Sequence, residues 1–172
     1  MIPARYEKAS YENDVPEDIK LLMREMSKTK KGLYIHGTVG TGKTHIAYAI
    51  KDKWDKPGYQ MAHFWNTTEL FQEIRDDYDR HVEAKRNNFA DLMDSENLLF
   101  LDDVGSEKPS EWVQEQFYLL INKRYNEMRP IIFTSNYSIS ELAARLGDRT
   151  VSRIVEMSHV VKLDGKDRRL PE

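Results

Sequence analysis

Leu33-Tyr34-Ile35-His36-Gly37-Thr38-Val39-Gly40-Thr41-Gly42-Lys43-Thr44 is an apolar run that ends in glycine and continues into the spacing G-x-x-x-x-G-K-[ST]. The glycines let the backbone turn tightly, so that successive N–H groups point inward and the following helix adds the positive end of its dipole. A polyphosphate needs this chemistry. Lys43 is placed to reach the β- and γ-phosphates and the Thr44 hydroxyl to ligate Mg²⁺. The competing reading is an ordinary glycine-rich turn between a strand and a helix. Background glycine usage gives the full pattern in roughly one chain in a hundred of this length. An apolar strand precedes it and a helical stretch, His45–Lys53, follows, so the nucleotide reading is preferred.

Working outward, Leu98-Leu99-Phe100-Leu101-Asp102-Asp103 is a second apolar strand, and it ends in two acids. In a parallel sheet the carboxyl ends of the strands meet at the ligand crevice. Asp102 is therefore expected to hold Mg²⁺ with Thr44, and Asp103, a step further out, to polarise the attacking water. Ile131-Ile132-Phe133-Thr134-Ser135-Asn136 is a third such strand, and the Asn136 amide can orient a water near the γ-phosphate. The plainer alternatives are two acids at a turn and an Asn that caps one.

The other elements follow from periodicity and punctuation. Pro16 starts an amphipathic helix through Ile19, Leu22, Met23 and Met26 that ends near Lys28–Gly32. Pro57–Gly58 is a turn, and Tyr59–Trp65 reads as a strand. Asn66 or Thr67 caps a helix with Leu70, Phe71, Ile74 and Tyr78 on one face. Charge dominates 76–88, before a short helix Phe89–Met93. Pro109 opens a long helix whose inward candidates are Trp112, Phe117, Leu120, Ile121, Tyr125 and Met128. Glu141–Leu146 and Thr150–Val155 are short helices separated by Gly147, and Ser158–Leu163 is a last strand. Residues 1–15 show no clean period. Alternation of strand and helix predicts an α/β fold, a five-stranded parallel sheet with helices on both faces.

At 172 residues and 40% hydrophobic content, the chain can bury one core and is expected to be one domain, 1–172, with 1–31 as an arm and helix. A net charge of −3 argues against bulk affinity for nucleic acid but leaves room for a local basic patch. There is no cysteine, which removes disulfides and thiolate metal sites and suits a reducing cytosol. No apolar run approaches a membrane span, so the expectation is a cytoplasmic protein without membrane contact. His36, His45, His63, His81 and His159 show no ligand spacing and read as structural or surface groups. Arg145, Arg149 and Arg153, spaced by four, share a helical face if the helix survives Gly147. An arginine offered to a phosphate by a neighbouring subunit stabilises transition-state charge; the alternative for these three is an exposed face paired with Glu141, Asp148 or Glu156.

Taken together, the residues resemble the AAA+ ATPases of the DnaC/DnaI helicase-loader and IstB transposition-helper group. The matching signs are Ile2-Pro3-Ala4-Arg5-Tyr6 with Ala9 and Tyr11, the Gly37–Thr44 loop, Leu98–Gly105, and Thr134-Ser135-Asn136. Leu146-Gly147-Asp148-Arg149-Thr150-Val151-Ser152-Arg153-Ile154 and Gly165-Lys166-Asp167-Arg168-Arg169 complete the set. The resemblance implies a P-loop NTPase of AAA+ type, binding ATP or ADP with Mg²⁺; because the sequence ends just after Arg169, no separate helical lid is expected. Gly37, Thr38, Val39, Gly40, Thr41, Gly42, Lys43, Thr44 and His45 would hold the nucleotide, and Asp102 and Asp103 would be the Walker B pair. Asn136 resembles the sensor-1 residue. Arg153 resembles the arginine finger acting in trans, with Arg149 as competitor, and Arg169 or Arg168 the sensor-2 arginine.

The same resemblance implies self-assembly, a replicative helicase as partner, and single-stranded DNA contacted by Tyr78, Ser110 and Trp112; aromatics suit base stacking. For Tyr78 and Trp112 core packing is the alternative. The chain begins where the loaders' ATPase core begins, which suits either an isolated core or a compact relative. Rival functions are a transposition helper, a nucleotide-gated DNA- or partner-binding module with little hydrolysis, and, less favoured, a small-molecule kinase.

Overall fold

The computed structural model describes residues 2–58, 61–79, 88–165 and 167, with the side chains of 77–79 and 88 left aside. A 3₁₀ turn, Ala4–Tyr6, and a four-residue helix α1, Tyr11–Asp14, open the chain. This replaces the aperiodic arm expected there. Neither element reaches two helical turns, so no repeating pattern could announce them. Helix α2, Glu17–Thr29, starts after Pro16 and stops at Lys30, which takes a left-handed φ of 57°. Then come β1, Gly32–His36; α3, Lys43–Trp54; β2, Ala62–Asn66; α4, Thr67–Asp79; and α5, Asn88–Asp94. The expected start of β2 at Tyr59 falls partly outside the described residues, and Met61 precedes the strand, exposed.

β3, Leu98–Asp102, leads to α6, Glu111–Asn126, whose N-cap is Ser110 rather than Pro109. β4, Ile131–Ser135, α7, Ile139–Leu146, α8, Asp148–Glu156, and β5, Ser158–Lys162, complete the order. Met128 does not face inward as expected: it lies past the end of α6 with φ 52° and 64% exposure. The helix has already ended at Asn126, so the stripe no longer applies to it.

The five strands run parallel in the order β2-β3-β4-β1-β5. Alternation along each strand decides which face is covered by what. Leu33, Ile35, Leu98, Phe100 and Ile132 pack with Ile19, Met23 and Met26 of α2 and Ile46, Ala47 and Ile50 of α3. Tyr34, Leu99, Leu101, Ile131 and Phe133 face the other layer, made by α4, α5, α6, α7 and α8. Each fully buried Leu, Ile or Phe is worth about 1.5–3 kcal/mol, so two covered faces hold the sheet firmly. β3 and β4 are buried along their whole length. The carboxyl ends of β1, β3 and β4 thus reach one edge of the sheet as a rigid frame.

Candidate functional site: a phosphate loop facing two acids and an amide

The loop leaves β1 at Gly37, whose N–H donates to the Ser135 carbonyl at 3.3 Å. A Cβ at Gly37 would fall 2.2 Å from the Leu163 carbonyl oxygen, so only glycine fits beside the segment that follows β5. Gly40 has φ 82°, and a Cβ there would meet the Asp167 carboxylate. The Lys43 ammonium donates to the carbonyls of Gly37 and Thr38, each at 2.8 Å. The Thr41 hydroxyl also reaches the Thr38 carbonyl, at 2.9 Å. Lys43 is therefore held folded back over its own loop, at the first residue of α3.

Across the cleft, Asp102 is buried and Asp103 half-buried. Burial raises the Asp102 carboxyl above the usual aspartate range, opposed by hydrogen bonds from Thr134 and Thr44. The Thr134 hydroxyl donates to Asp102 Oδ1 at 2.6 Å and accepts the Asp103 N–H at 2.9 Å. One side chain of β4 therefore fixes both Asp102, which ends β3, and Asp103, which follows it. Asp103 takes a left-handed φ of 59°, unusual for a residue with a side chain. That turn aims its carboxylate at Asn136, whose Nδ2 donates to Asp103 Oδ1 at 2.8 Å.

These groups line a cleft of about 540 Å³ together with Val39, Gly42 and Thr44, a volume suited to a small-molecule ligand. Arg5, Tyr6, His45 and Asn66 line it as well. Tyr6 stacks on Tyr48 with ring centroids 4.5 Å apart, and His45 Nε2 lies 3.0 Å from Asp14 Oδ2. Sequence reasoning assigned no site role to Arg5 or Tyr6; the only signal was that they stand in the opening Ile2–Tyr6 match. A groove of about 630 Å³ lies at the other end of the sheet, between α2, the start of β3 and the end of α6. It is slightly larger, but no catalytic set converges there. The acid–amide–lysine cleft is the better candidate.

As chemistry, the cleft offers the Lys43 cation, the glycine-rich loop backbone, and a carboxylate and hydroxyl, Asp102 and Thr44. Hard oxygen donors of this kind, few in number and beside a phosphate site, suit Mg²⁺, which keeps several waters and takes phosphate oxygens. The buried, hydrogen-bonded Asp102 carboxylate fits a cation facing it. No group of three or more His, Cys, Asp or Glu placed to hold a metal occurs among the described residues.

Other expected residues lie elsewhere. Gly147, with φ 85° and ψ 145°, ends α7 and starts α8, so Arg145 does not share a face with Arg149 and Arg153. Arg149 and Arg153 both stack on Tyr118, at 4.7 and 5.2 Å, and Arg153 Nε donates to Asn122 Oδ1 at 3.0 Å. Neither lines the cleft. The Ser110 hydroxyl caps α6 by accepting the Val113 N–H at 3.2 Å. Trp112 is half-buried, packed edge-on against Phe71 at 6.0 Å, with the Arg75 guanidinium 4.8 Å over its ring. Tyr78 stands in the last turn of α4, and its side chain, like His81, Arg168 and Arg169, lies outside the described residues.

Residues 13–172 match the family described as IstB-like ATP binding protein. The chain belongs to that family. As a member of the IstB-like ATP-binding proteins it is 28% identical over 155 residues to the replicative helicase loader DnaI of Bacillus subtilis, which covers 82% of this chain and 48% of that protein. It spans about half the length of the curated relatives it matches first. The crystal structure of the DnaC helicase loader superposes with a TM-score of 0.80 at 30% identity, covering 94% of this chain and 99% of that one. AMPPCP-bound DnaA from Aquifex aeolicus superposes with a TM-score of 0.73 at 26% identity over 94% of this chain and 52% of that one. The fold of this family member is thus a P-loop AAA+ core, and no described helix is long and apolar enough to cross a membrane.

Proposed function

We propose that this chain is an ATPase core of helicase-loader type, acting in DNA replication. It binds Mg·ATP in the cleft and hydrolyses it to ADP and phosphate. The observation that carries the reading is the 2.8 Å contact between Asn136 and a left-handed Asp103, set beside a buried Asp102 and facing Lys43. On binding, the loop N–H groups of 37–44 wrap the phosphates, with His45 in the first turn of α3 behind them, and Lys43 exchanges its two carbonyl contacts for phosphate oxygens. Thr44 and Asp102 would hold Mg²⁺, which would supply positive charge against the phosphates. Asp103 and Asn136 orient the attacking water in line with the γ-phosphate, and Lys43 with Asn136 stabilises the charge that spreads over its oxygens.

The AMPPCP-bound DnaA structure supports a nucleoside triphosphate as ligand. An arginine from a second copy completes the site, with Arg153 first and Arg149 second; Arg169 or Arg168 contributes from the same chain. Residues 1–172 act as one cytoplasmic domain, with single-stranded DNA contacted near Tyr78, Ser110 and Trp112. A replicative helicase is the partner, supported by the likeness to the replicative helicase loader DnaI. The family match also supports a second reading, a transposition helper.

One set of measurements tests this. The full chain, Lys43→Ala and Arg153→Ala are compared for binding of a fluorescent ATP analogue and for phosphate release, with and without single-stranded DNA and a hexameric helicase. Lys43→Ala should lose binding, and Arg153→Ala should keep it but lose stimulated turnover. Unchanged affinity in Lys43→Ala refutes the site. The same assay with a transposase in place of the helicase tests the second reading, and stimulation by the transposase alone selects it.

A further inference from the structure

The geometry points to Arg145 as a positioning residue for hydrolysis: it locks the loop that carries Asp103 against the loop that carries Asn136, and this rests on the hydrolase reading above. The segment 103–107 is a compact turn. The Asp103 carbonyl accepts both the N–H and the hydroxyl of Ser106, at 3.2 and 2.7 Å, and the Gly105 N–H donates to Glu107 Oε1 at 3.1 Å. These bonds hold Asp103 in its left-handed conformation from the far side, while Thr134 holds it from the near side.

Arg145, on α7, seals that turn. Its Nη2 donates to the Glu107 carbonyl at 3.0 Å, and its guanidinium lies 4.7 Å over the ring of Tyr137, the residue after Asn136. The Arg145 carbonyl is itself fixed by Gln114 Nε2 of α6 at 2.9 Å. Gly105 packs so closely on Tyr137 that a Cβ would come within 2.8 Å of the ring. Further in, the Ser135 hydroxyl donates to the Val104 carbonyl at 2.6 Å and accepts the Tyr137 N–H at 3.1 Å. The Asp103 turn and the Asn136 turn are thus one assembly, and Arg145, which belongs to neither, touches both.

Arg145 Nε and Glu107 Oε2 are buried, with no hydrogen-bond partner among the described residues. A buried donor and a buried acceptor left open on adjoining residues are costly, and such groups call for a functional account. Here they belong to the residues that set the angle between the water-orienting carboxylate and its amide. A shift of about 1 Å at such a distance from the chemistry can cost about a hundredfold in rate. Because Arg145 does not line the cleft, its loss should act on the rate and leave nucleotide binding alone.

Phosphate release and ATP-analogue affinity are measured for the full chain, Arg145→Ala, Arg145→Lys and the Lys43→Ala blank, with a thermal melt of each. Arg145→Ala should lower kcat by about tenfold to a hundredfold with affinity within about twofold. Arg145→Lys, which keeps a donor for the Glu107 carbonyl, should recover part of the loss. If the full chain is active and Arg145→Ala matches its kcat, or loses affinity as much as rate, the positioning role is overturned. If Arg145→Ala does not fold, Arg145→Lys decides: lower kcat at unchanged affinity supports the role, and full kcat overturns it. Turnover of the full chain no faster than Lys43→Ala overturns the hydrolase reading and this one with it.

Discussion

Replacing Arg124 with Leu should destabilise the protein by about 3 kcal/mol or more. Arg124 is fully buried in α6, and its guanidinium donates to four backbone carbonyls: Leu92 at 2.8 Å, Ser95 at 3.1 Å, Asn97 at 2.8 Å and Pro130 at 3.3 Å. Hydrogen bonds from a charged donor are worth about 1.5–3 kcal/mol each, so four of them give about 6 kcal/mol at the low end. Burying the cation opposes this: burial first, and Arg129 second, pull its pKa down to about 10. That shift from an ordinary arginine corresponds to about 3 kcal/mol of cost, which Leu would recover. The difference is the expected loss. For a chain of this size it lowers Tm by about 6–12 °C.

Urea unfolding followed by circular dichroism reads this directly, with Arg124→Lys as a comparison that keeps the charge but not the fork of donors. Arg124→Lys should fall between the two. A cost for Arg124→Leu below about 1 kcal/mol would refute the idea that these four carbonyls depend on the guanidinium, since ordinary surface changes stay within about 0.5 kcal/mol.

Thr134→Val removes the donor to Asp102 and the acceptor for the Asp103 N–H; it should cost about 1–3 kcal/mol and push the Asp102 carboxyl still higher, so the acid limb of the turnover profile moves to higher pH. An unmoved limb would mean that Thr134 does not set the state of Asp102. His63 is held below its ordinary pKa, by burial first and Arg124 next, and its Nε2 lies 3.3 Å from Asn97 Nδ2, a donor that the charged ring would repel. The folded state therefore favours the neutral ring. This contribution is complete above about pH 6.5, the unfolded value, and is lost as pH falls through the lower folded value. Urea midpoints should drop between pH 7.5 and 5.5, and less so in His63→Gln; equal slopes would exclude His63 as a cause.

Much of this architecture is written in local pattern. The strands Leu98–Asp102 and Ile131–Ser135 are continuous apolar runs because both faces are covered, and the glycine spacing of 37–44 states its chemistry outright. What escaped is what depends on distant backbone. Arg124 stands one turn after Leu120 on the inward stripe of α6, where a charge reads as an exception; its four carbonyl partners come from the end of α5, the entry to β3 and the entry to β4. Whether Arg145, Arg149 and Arg153 share a face turned on the dihedral angles of Gly147, which composition does not fix. Arg5 and Tyr6 reach the cleft only because two short turns fold the chain's start onto α3, and helices of three and four residues carry no period. The Glu107–Arg145 contact joins positions 38 apart, so neither residue signals the other.

The strand order has a consequence for when the cleft can exist. Its phosphate loop follows β1 and its acids follow β3, while Thr134 and Asn136 come from β4 and its end, which separates the two in the sheet. No hairpin or single βαβ unit of this chain contains a working half. β1 and β3 come into register only through β4, the last of the three to be synthesised. Nucleotide binding is therefore a certificate that β1, β3 and β4 are paired. A ligand that recognises only this state stabilises it by mass action, so ATP should act on the newly made protein as a selector of correct pairing.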